Sequence, residues 1–131
     1  MKRTLPGVNI QFPISQLILS GEKKVETRTY GIPQHYLGVP LYLIETPGEK
    51  GNFKSRVAGI IKFGSSIRYQ SKKQFGEDFK NHRVDLGSKW DWKEKPKWGW
   101  SIVEVTRFKE PIPLSSKKGI RFTKSISIEI L

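Results

Sequence analysis

The first thirty residues alternate hydrophobic and polar positions in a way that predicts a strand, a short helix and a second strand. Residues 8–12 have the composition of a short strand. Pro13 suits the first turn of a helix, where its missing N–H costs nothing, and Gly21 suits the position just past the end of that helix. Residues 24–30 then alternate with a period of two, which predicts a half-buried strand.

The rest of the chain continues in the same strand-rich way. We predict strands at residues 41–46, 55–69 and 126–131, a second helix at 71–82, and a hairpin over 90–108 that turns at 93–97. This order, β-α-β-β-β-α-β-β-β, favours one α+β domain over residues 1–131, a compact and partly open β-barrel of five to six strands with two short helices. The alternative is a ferredoxin-like sandwich, but its crossover helices should be longer.

Composition narrows the class of protein. With 131 residues, 36% hydrophobic and 27% charged, the chain is long enough for one soluble domain with its own core. It has no cysteine, which excludes disulfides, thiol catalysis and zinc sites built on Cys. It also lacks an apolar run of the roughly 20 residues needed to span a bilayer and a secretory apolar core, so we expect a cytoplasmic location and no membrane partner.

Charge points to a polyanionic partner. The net charge is +12, and residues 49–83 hold nine Lys or Arg against three acids, so that segment carries half of the surplus. A surplus of this size attracts nucleic acid in particular. An anionic membrane is less consistent with the sequence, which offers no amphipathic or lipidated anchor. The charge could also serve solubility alone.

A cluster of charged residues follows the first helix in the pattern G-x-K-x-x-E-x-R, formed by Gly21, Lys23, Glu26 and Arg28. Glu26 and Arg28 point to the same side of a strand with Cα atoms roughly 6–7 Å apart, so they can reach one ligand or each other. Arg28 offers a planar set of donors for a phosphate or a base edge. The alternative is a surface ion pair between Glu26 and Arg28 that only keeps one strand face polar and binds no ligand.

These residues and the predicted elements around them resemble the ASCH domain family of the PUA-like superfamily. The motif Gly21, Lys23, Glu26, Arg28 matches the family signature at all four named positions. The resemblance implies a pseudo-barrel with a cleft beside the first helix that suits RNA or a nucleotide. Members are proposed as RNA-binding modules of regulators linked to translation.

The same resemblance raises the question of an enzyme, because one group of members hydrolyses N4-acetylcytidine and another cuts single-stranded RNA. In the deacetylating members, the lysine at the Lys23 position works with a threonine and a later acid. Here Glu26 occupies the threonine position, and Thr27 is predicted to face the other side of the strand. Glu104 is the nearest counterpart of the acid by position. These departures count against transferring that activity.

Aromatic and basic residues elsewhere extend the predicted interface. Trp90 and Trp92 alternate with lysines, which suits an exposed stacking surface for bases. For at least two of the four tryptophans we favour the alternative, a hydrophobic cluster that closes the barrel across the hairpin. Lys72 and Lys73 are expected to contact phosphates from the second helix. Neither histidine has a second ligand nearby in sequence, so we predict no metal site, and no nucleotide-cofactor motif indicates a cofactor.

The sequence therefore predicts an RNA- or nucleotide-binding domain with a basic cleft beside the first helix, monomeric by default. Its ligand-binding residues would be Lys23, Glu26, Arg28, Lys72, Lys73, Trp90 and Trp92. The alternative is a small hydrolase that acts on a modified nucleoside or on single-stranded RNA, with Lys23 and Glu26 as catalytic residues. A third possibility is a barrel with a purely structural or protein-binding role.

Overall fold

A computed structural model describes residues 2–114 and 121–129 of the chain. These residues form six strands and three short α-helices. The strands are β1 (Lys2–Gln11), β2 (Val25–Arg28), β3 (Leu41–Thr46), β4 (Arg56–Arg68), β5 (Trp98–Pro113) and β6 (Phe122–Glu129). The helices are α1 (Ile14–Leu19), α2 (Lys72–Glu77) and α3 (Phe79–His82), with a 3₁₀ turn at Gln34–Tyr36.

The six strands form one mixed sheet in the order β2-β5-β4-β3-β1-β6. Only the β1–β3 pair is parallel among the described strands. The sheet does not close, because β2 and β6 remain its two edges. Side chains nevertheless cross the gap: the Trp100 ring, next to β2, stacks at 6.0 Å on the Phe122 ring of β6. The six strands agree with the five to six predicted for the barrel but are one fewer than the seven in the predicted element order, because residues 90–108 supply one strand instead of two. The arrangement is consistent with a partly open barrel.

β3 is buried on both faces and separates two hydrophobic clusters. Leu41 and Leu43 join the larger cluster, together with Val8, Ile10, Ile18, Leu19, Ala58, Ile61, Phe63 and Trp100. Tyr42 and Ile44 point the other way and pack with Val57 and Ile128. This two-sided burial explains why residues 41–46 form a nearly continuous apolar run rather than an alternating one.

The helices are six, six and four residues long. The first begins after Pro13 and ends before Gly21, whose φ of 86° is the left-handed conformation that glycine adopts readily. The predicted second helix is instead two helices, which meet at Asp78. Within the described residues, no helix has the length and apolar character that a membrane crossing requires.

The hairpin predicted over residues 90–108 is wrong. Residues 90–97 form turns and loop, and β5 begins only at Trp98. The Asp91 carboxylate accepts hydrogen bonds from the backbone N–H groups of Gly87 and Trp92, which stabilises a compact turn. The deeper reason is that β5 already pairs with β4 on one edge and β2 on the other, which leaves it no edge for a hairpin partner. The last predicted strand begins earlier than expected, at Phe122, and its final residues 130–131 lie outside the described part of the chain.

Candidate functional site

The turn after α1 places Lys23 in the interior. Gly21 reverses the chain, and the backbone N–H of Lys23 donates to the Leu17 carbonyl at 2.9 Å. The Lys23 side chain is only 3% exposed. Its ammonium donates to the backbone carbonyl of His82 in α3 and lies 3.8 Å from the Glu26 carboxylate. Lys23 is therefore buried between β2, which carries Glu26 and Arg28, and α3.

Glu26 and Arg28 share one face of β2, as predicted from their spacing. Arg28 Nη2 lies 3.0 Å from Glu26 Oε2 and also donates to the Asn9 carbonyl of β1 at 2.8 Å. Glu26 lies directly opposite Trp100 in the β2–β5 register, and the Arg28 guanidinium lies 5.4 Å from the Trp100 ring centroid. The three charged side chains of the motif thus lie in one cluster. Arg28 connects β2 to β1, the strand next to the edge strand β6, and so crosses the gap in the sheet.

Burial shapes the protonation of this cluster. Desolvation lowers the pKa of the Lys23 ammonium, and the Glu26 carboxylate only partly opposes that effect. Burial also acts to lower the pKa of Arg28, but the charge and hydrogen bonds of Glu26 together with the hydroxyl of Tyr30 outweigh burial and hold the pKa above its ordinary value. The two cations of the motif are therefore not equivalent. Arg28 remains charged, whereas Lys23 loses its proton more easily than an exposed lysine does.

Aromatic rings border the cluster at the gap between the sheet edges. The Tyr30 ring meets the Trp100 ring edge-on at 5.5 Å, and the Arg121 guanidinium lies 4.8 Å from the Tyr30 ring centroid. The Tyr30 hydroxyl is buried, and within residues 2–114 and 121–129 it has no well-formed hydrogen bond. The hydroxyl faces the Arg28 guanidinium and helps to hold the pKa of Arg28 high. Tyr30 is therefore part of the surroundings that keep Arg28 charged at the gap.

The tryptophans do not face one another as the hairpin would have required. Trp100 is fully buried in the core. Trp90 is 43% exposed, with the Lys89 ammonium 4.9 Å from its ring centroid. The ring centroids of Trp92 and of Phe75 in α2 are 6.1 Å apart. Of the two tryptophans expected to be exposed, Trp90 is exposed and Trp92 is half-buried, and both lie in a loop rather than on one strand face.

The loop of residues 84–97 links the second helix to the motif cluster. Lys72 and Lys73 are the first two residues of α2, and both are exposed. Backbone hydrogen bonds from Gly87 and Trp92 lower the pKa of Asp91, and the charge of Lys72 adds to this effect. Lys97 is buried at the end of the loop, and burial lowers its pKa against the attraction of Asp91 and Glu26. The sequence did not single out Lys97, because nothing local shows that the loop folds back onto β2.

Glu104 and His82 both have defined partners in the structure. Glu104, considered as a catalytic acid, is exposed and pairs with Lys62 at 3.3 Å, so it is not part of the Lys23 cluster. His82 is fully buried, and its ring nitrogens are bonded to the Phe75 carbonyl and the Val84 N–H. In the described ranges, no group of three or more His, Asp or Glu side chains is placed to hold a metal ion.

The architecture defines an α+β domain built on a six-stranded sheet that is open between β2 and β6, with the charged cluster at that gap. It resembles the crystal structure of ASCH from Zymomonas mobilis with a TM-score of 0.70 at 14% identity, over 91% of this chain and 85% of that one. A tyrosine-to-phenylalanine mutant of the Zymomonas protein matches with a TM-score of 0.69 at 14% identity, over 91% of this chain and 88% of that one.

A serine-to-alanine mutant of the same protein matches with a TM-score of 0.67 at 13% identity, over 91% of this chain and 86% of that one. No protein-family model matches the sequence, and no curated protein matches it. The chain therefore has the ASCH fold, which confirms the resemblance at the level of structure. At these identities the match extends to the fold alone, and the role of the motif remains a prediction.

Proposed function

We propose that this domain binds RNA, with one nucleotide held at the gap between β2 and β6. The observation that carries the proposal is the partly exposed Arg28 guanidinium, which the Glu26 carboxylate and the Asn9 carbonyl hold beside the Trp100 ring at this gap. A guanidinium held in this way presents a planar set of donors to a phosphate or a base edge.

The same gap offers both kinds of contact that a nucleotide requires. Arg28 is held in place by Glu26 and the Asn9 carbonyl, and its side chain is 17% exposed, so a ligand can reach it. The Arg121 guanidinium lies 4.8 Å from the Tyr30 ring centroid and can neutralise a phosphate. Base contacts would come from Tyr30 and Arg28, and phosphate contacts from exposed cations such as Lys72 and Lys73. Trp90 would stack on a neighbouring base.

The first prediction concerns the Tyr30 hydroxyl. Tyr30→Phe should weaken the binding of a fluorescein-labelled single-stranded RNA by about fivefold to tenfold, because it removes the hydroxyl that faces Arg28 and helps to keep that guanidinium in place. The urea concentration at which the variant unfolds should stay close to that of wild type, because the aromatic ring and its packing are kept. Fluorescence anisotropy and urea denaturation measure the two quantities. A purely structural role for Tyr30 predicts no loss of binding, and that result would overturn the proposal.

Salt dependence tests the phosphate contacts. Each phosphate neutralised on a single strand contributes about 0.7 to the slope of log K against log salt. The double variant Lys72→Gln/Lys73→Gln should therefore lower that slope by about 1.4 if both lysines contact phosphate. Lys50→Gln/Lys54→Gln removes the same charge from an exposed loop between β3 and β4 and serves as the matched control. Equal slopes in the two double variants would exclude Lys72 and Lys73 from the interface.

A second candidate, a hydrolase, is favoured by the burial of Lys23. Desolvation lowers the pKa of this lysine, so its neutral amine form, which can accept a proton from water, is more populated than in an exposed lysine. Water activated in this way would attack the acetyl carbonyl of N4-acetylcytidine and break its C–N bond, giving acetate and cytidine. Glu26 would hold Lys23 in position.

The hydrolase candidate predicts turnover that depends on Lys23. Wild-type protein should convert N4-acetylcytidine to cytidine, with a rate that rises with pH as Lys23 loses its proton, and Lys23→Met should abolish it. Chromatographic separation of the two nucleosides measures the reaction, and gel analysis of a labelled single-stranded RNA tests cleavage in parallel. An inert wild type against both substrates would rule out this candidate and leave the binding proposal standing.

A further inference from the structure

A second concave surface lies between α1, the end of β3, the beginning of β4 and the last part of β5. It is a cleft of about 300 Å³. Its wall includes Glu45, Arg56, Arg107 and Lys109, whereas Lys23, Glu26 and Arg28 do not line it. A volume of this size is at the lower end of the range for small-ligand sites. The cleft is thus separate from the motif cluster and large enough for a small ligand.

Two arginines in the cleft are fixed by neighbours before any ligand arrives. Arg56 Nε donates to Glu45 Oε1 at 2.7 Å, and the Arg56 guanidinium lies 3.8 Å from the Phe53 ring centroid. Arg107 Nη2 donates to the side-chain carbonyl of Gln16 in α1 at 2.8 Å. Side chains held in this way lose less conformational entropy when a ligand binds.

An irregularity in β5 brings Lys109 to the same place. Gly59 of β4 pairs with Arg107 and Val57 pairs with Ile112, so two steps along β4 correspond to five along β5. The extra residues of β5 are pushed out of the ladder, and Phe108, Lys109 and Pro111 among them line the cleft. Bulges that redirect side chains are frequent beside functional sites.

The charges of the cleft do not cancel. Glu45 is fully buried, and although burial acts to raise its pKa, hydrogen bonds from Ser15, Gln16 and Arg56 outweigh that effect and lower it. Glu45 is therefore ionised at neutral pH. Against its single negative charge stand the positive charges of Arg56, Arg107 and Lys109, which leaves a surplus of two.

Most donors in the cleft also remain unused. Within the described residues, Arg56 donates only through Nε and Arg107 only through Nη2, and Lys109 has no hydrogen bond or ion pair. A phosphomonoester carries close to two negative charges at neutral pH and has three acceptor oxygens. Its charge and its acceptors match what the cleft leaves unsatisfied.

We propose that this cleft binds a phosphomonoester, either on a free nucleotide or at the 5′ end of an RNA. Arg107 and Lys109 supply the exposed contacts, and Arg56, backed by Glu45 and Phe53, supplies the inner contact. Phe12 and Phe108 line the same cleft and give the attached nucleoside an apolar surface. The inference does not depend on the RNA proposal, because it concerns different residues and a different group of the ligand.

Calorimetric titration with adenosine 5′-monophosphate and with adenosine tests the cleft directly. The monophosphate should bind at least about tenfold more tightly than adenosine, since hydrogen bonds to charged groups contribute that much. A parallel anisotropy titration compares one RNA carrying a 5′-phosphate with the same RNA carrying a 5′-hydroxyl. If the 5′-phosphate strengthens binding of the nucleotide but not of the RNA, the ligand of the cleft is a free nucleotide. If it strengthens binding of both, the cleft can hold the 5′ end of an RNA. Equal binding within both pairs would overturn the proposal.

The variant that tests the residues is Arg107→Gln/Lys109→Gln, in which both replaced side chains are exposed. It should remove the preference for the phosphate while it leaves binding of the 5′-hydroxyl RNA unchanged. Lys50→Gln/Lys54→Gln is again the charge-matched control and should retain the preference. If the cleft variant keeps the full preference for the phosphate, the cleft is not the site. Failure of the RNA proposal would appear separately, as absent binding of the 5′-hydroxyl RNA.

Discussion

Replacing Glu26 with alanine is expected to lower the free energy of unfolding by about 3–5 kcal/mol. Glu26 is the only carboxylate in contact with Lys23 and Arg28 among the described residues; Lys23 is buried, and the Arg28 side chain is only 17% exposed. Without it, two positive charges remain close together in a poorly solvated site. Lys23 can partly escape by losing its proton, but Arg28 cannot. Small domains are stable by only about 5–15 kcal/mol, so Glu26→Ala is expected to approach unfolding at room temperature.

Two variants make the Glu26 result interpretable in urea denaturation. Glu22→Ala is the same change at an exposed position four residues earlier and should alter stability by no more than about 0.5 kcal/mol. The triple variant Lys23→Met/Glu26→Leu/Arg28→Met removes all three charges together and should recover at least half of the loss, because no uncompensated charge is left. A Glu26→Ala protein as stable as Glu22→Ala would show that the cluster is solvated rather than buried.

Most of the polar contacts in the motif cluster are made within the protein. The Glu26 carboxylate pairs with Lys23 and Arg28, and the Lys23 ammonium donates to the backbone carbonyl of His82. What remains for a ligand is the exposed part of Arg28 and the aromatic rings beside it. We therefore expect the acid to set the geometry and the neighbouring donors to recognise the ligand.

Local patterns predicted the elements that local chemistry determines. Gly21 ends α1 because its backbone takes a positive φ, and this can be anticipated from a helix followed by glycine. Glu26 and Arg28 share a face because strand periodicity is two, and this also requires only spacing. The resemblance carried by the motif then predicted an overall fold that the comparison with solved structures supports.

The remaining features depend on contacts between distant parts of the chain. Trp90 and Trp92 alternate just as Trp98 and Trp100 do, yet only the second pair is in a strand, because β5 pairs with β2 and β4 from Trp98 onward. Arg121 reaches Tyr30 across about ninety positions in sequence. No local pattern contains that information.

Glu45 illustrates a different limit of sequence reasoning. It comes near the end of the apolar run of β3, where an acid suggests that the strand is leaving the core. In the structure it is fully buried, because Ser15 and Gln16 of α1 and Arg56 of β4 supply three hydrogen bonds. A buried carboxylate needs partners, and these partners become visible only when α1 is placed over the end of the sheet.

Replacing Trp100 with alanine should have an effect as large as that of Glu26, through packing rather than charge. The Trp100 side chain is fully buried, and its ring contacts the rings of Phe63, Tyr30 and Phe122. Its indole N–H donates to the Tyr30 carbonyl at 2.9 Å. Truncating a buried tryptophan typically costs about 3–5 kcal/mol. Trp100→Ala also removes the ring that joins the β2 side of the gap to β6, so the gap itself should widen.

Trp100→Phe separates the ring from the hydrogen bond. It keeps an aromatic side chain in contact with Phe63 and Phe122 but leaves the Tyr30 carbonyl without its donor, so it should cost roughly 1–3 kcal/mol. Trp90→Ala, at an exposed ring in the loop, is the matched control and should stay within about 0.5 kcal/mol of wild type. Urea denaturation followed by circular dichroism gives all three values on one scale. If Trp100→Ala were no more destabilising than Trp90→Ala, the two edges of the sheet could not be held together by Trp100, and a rigid ligand gap between β2 and β6 would lose its physical basis.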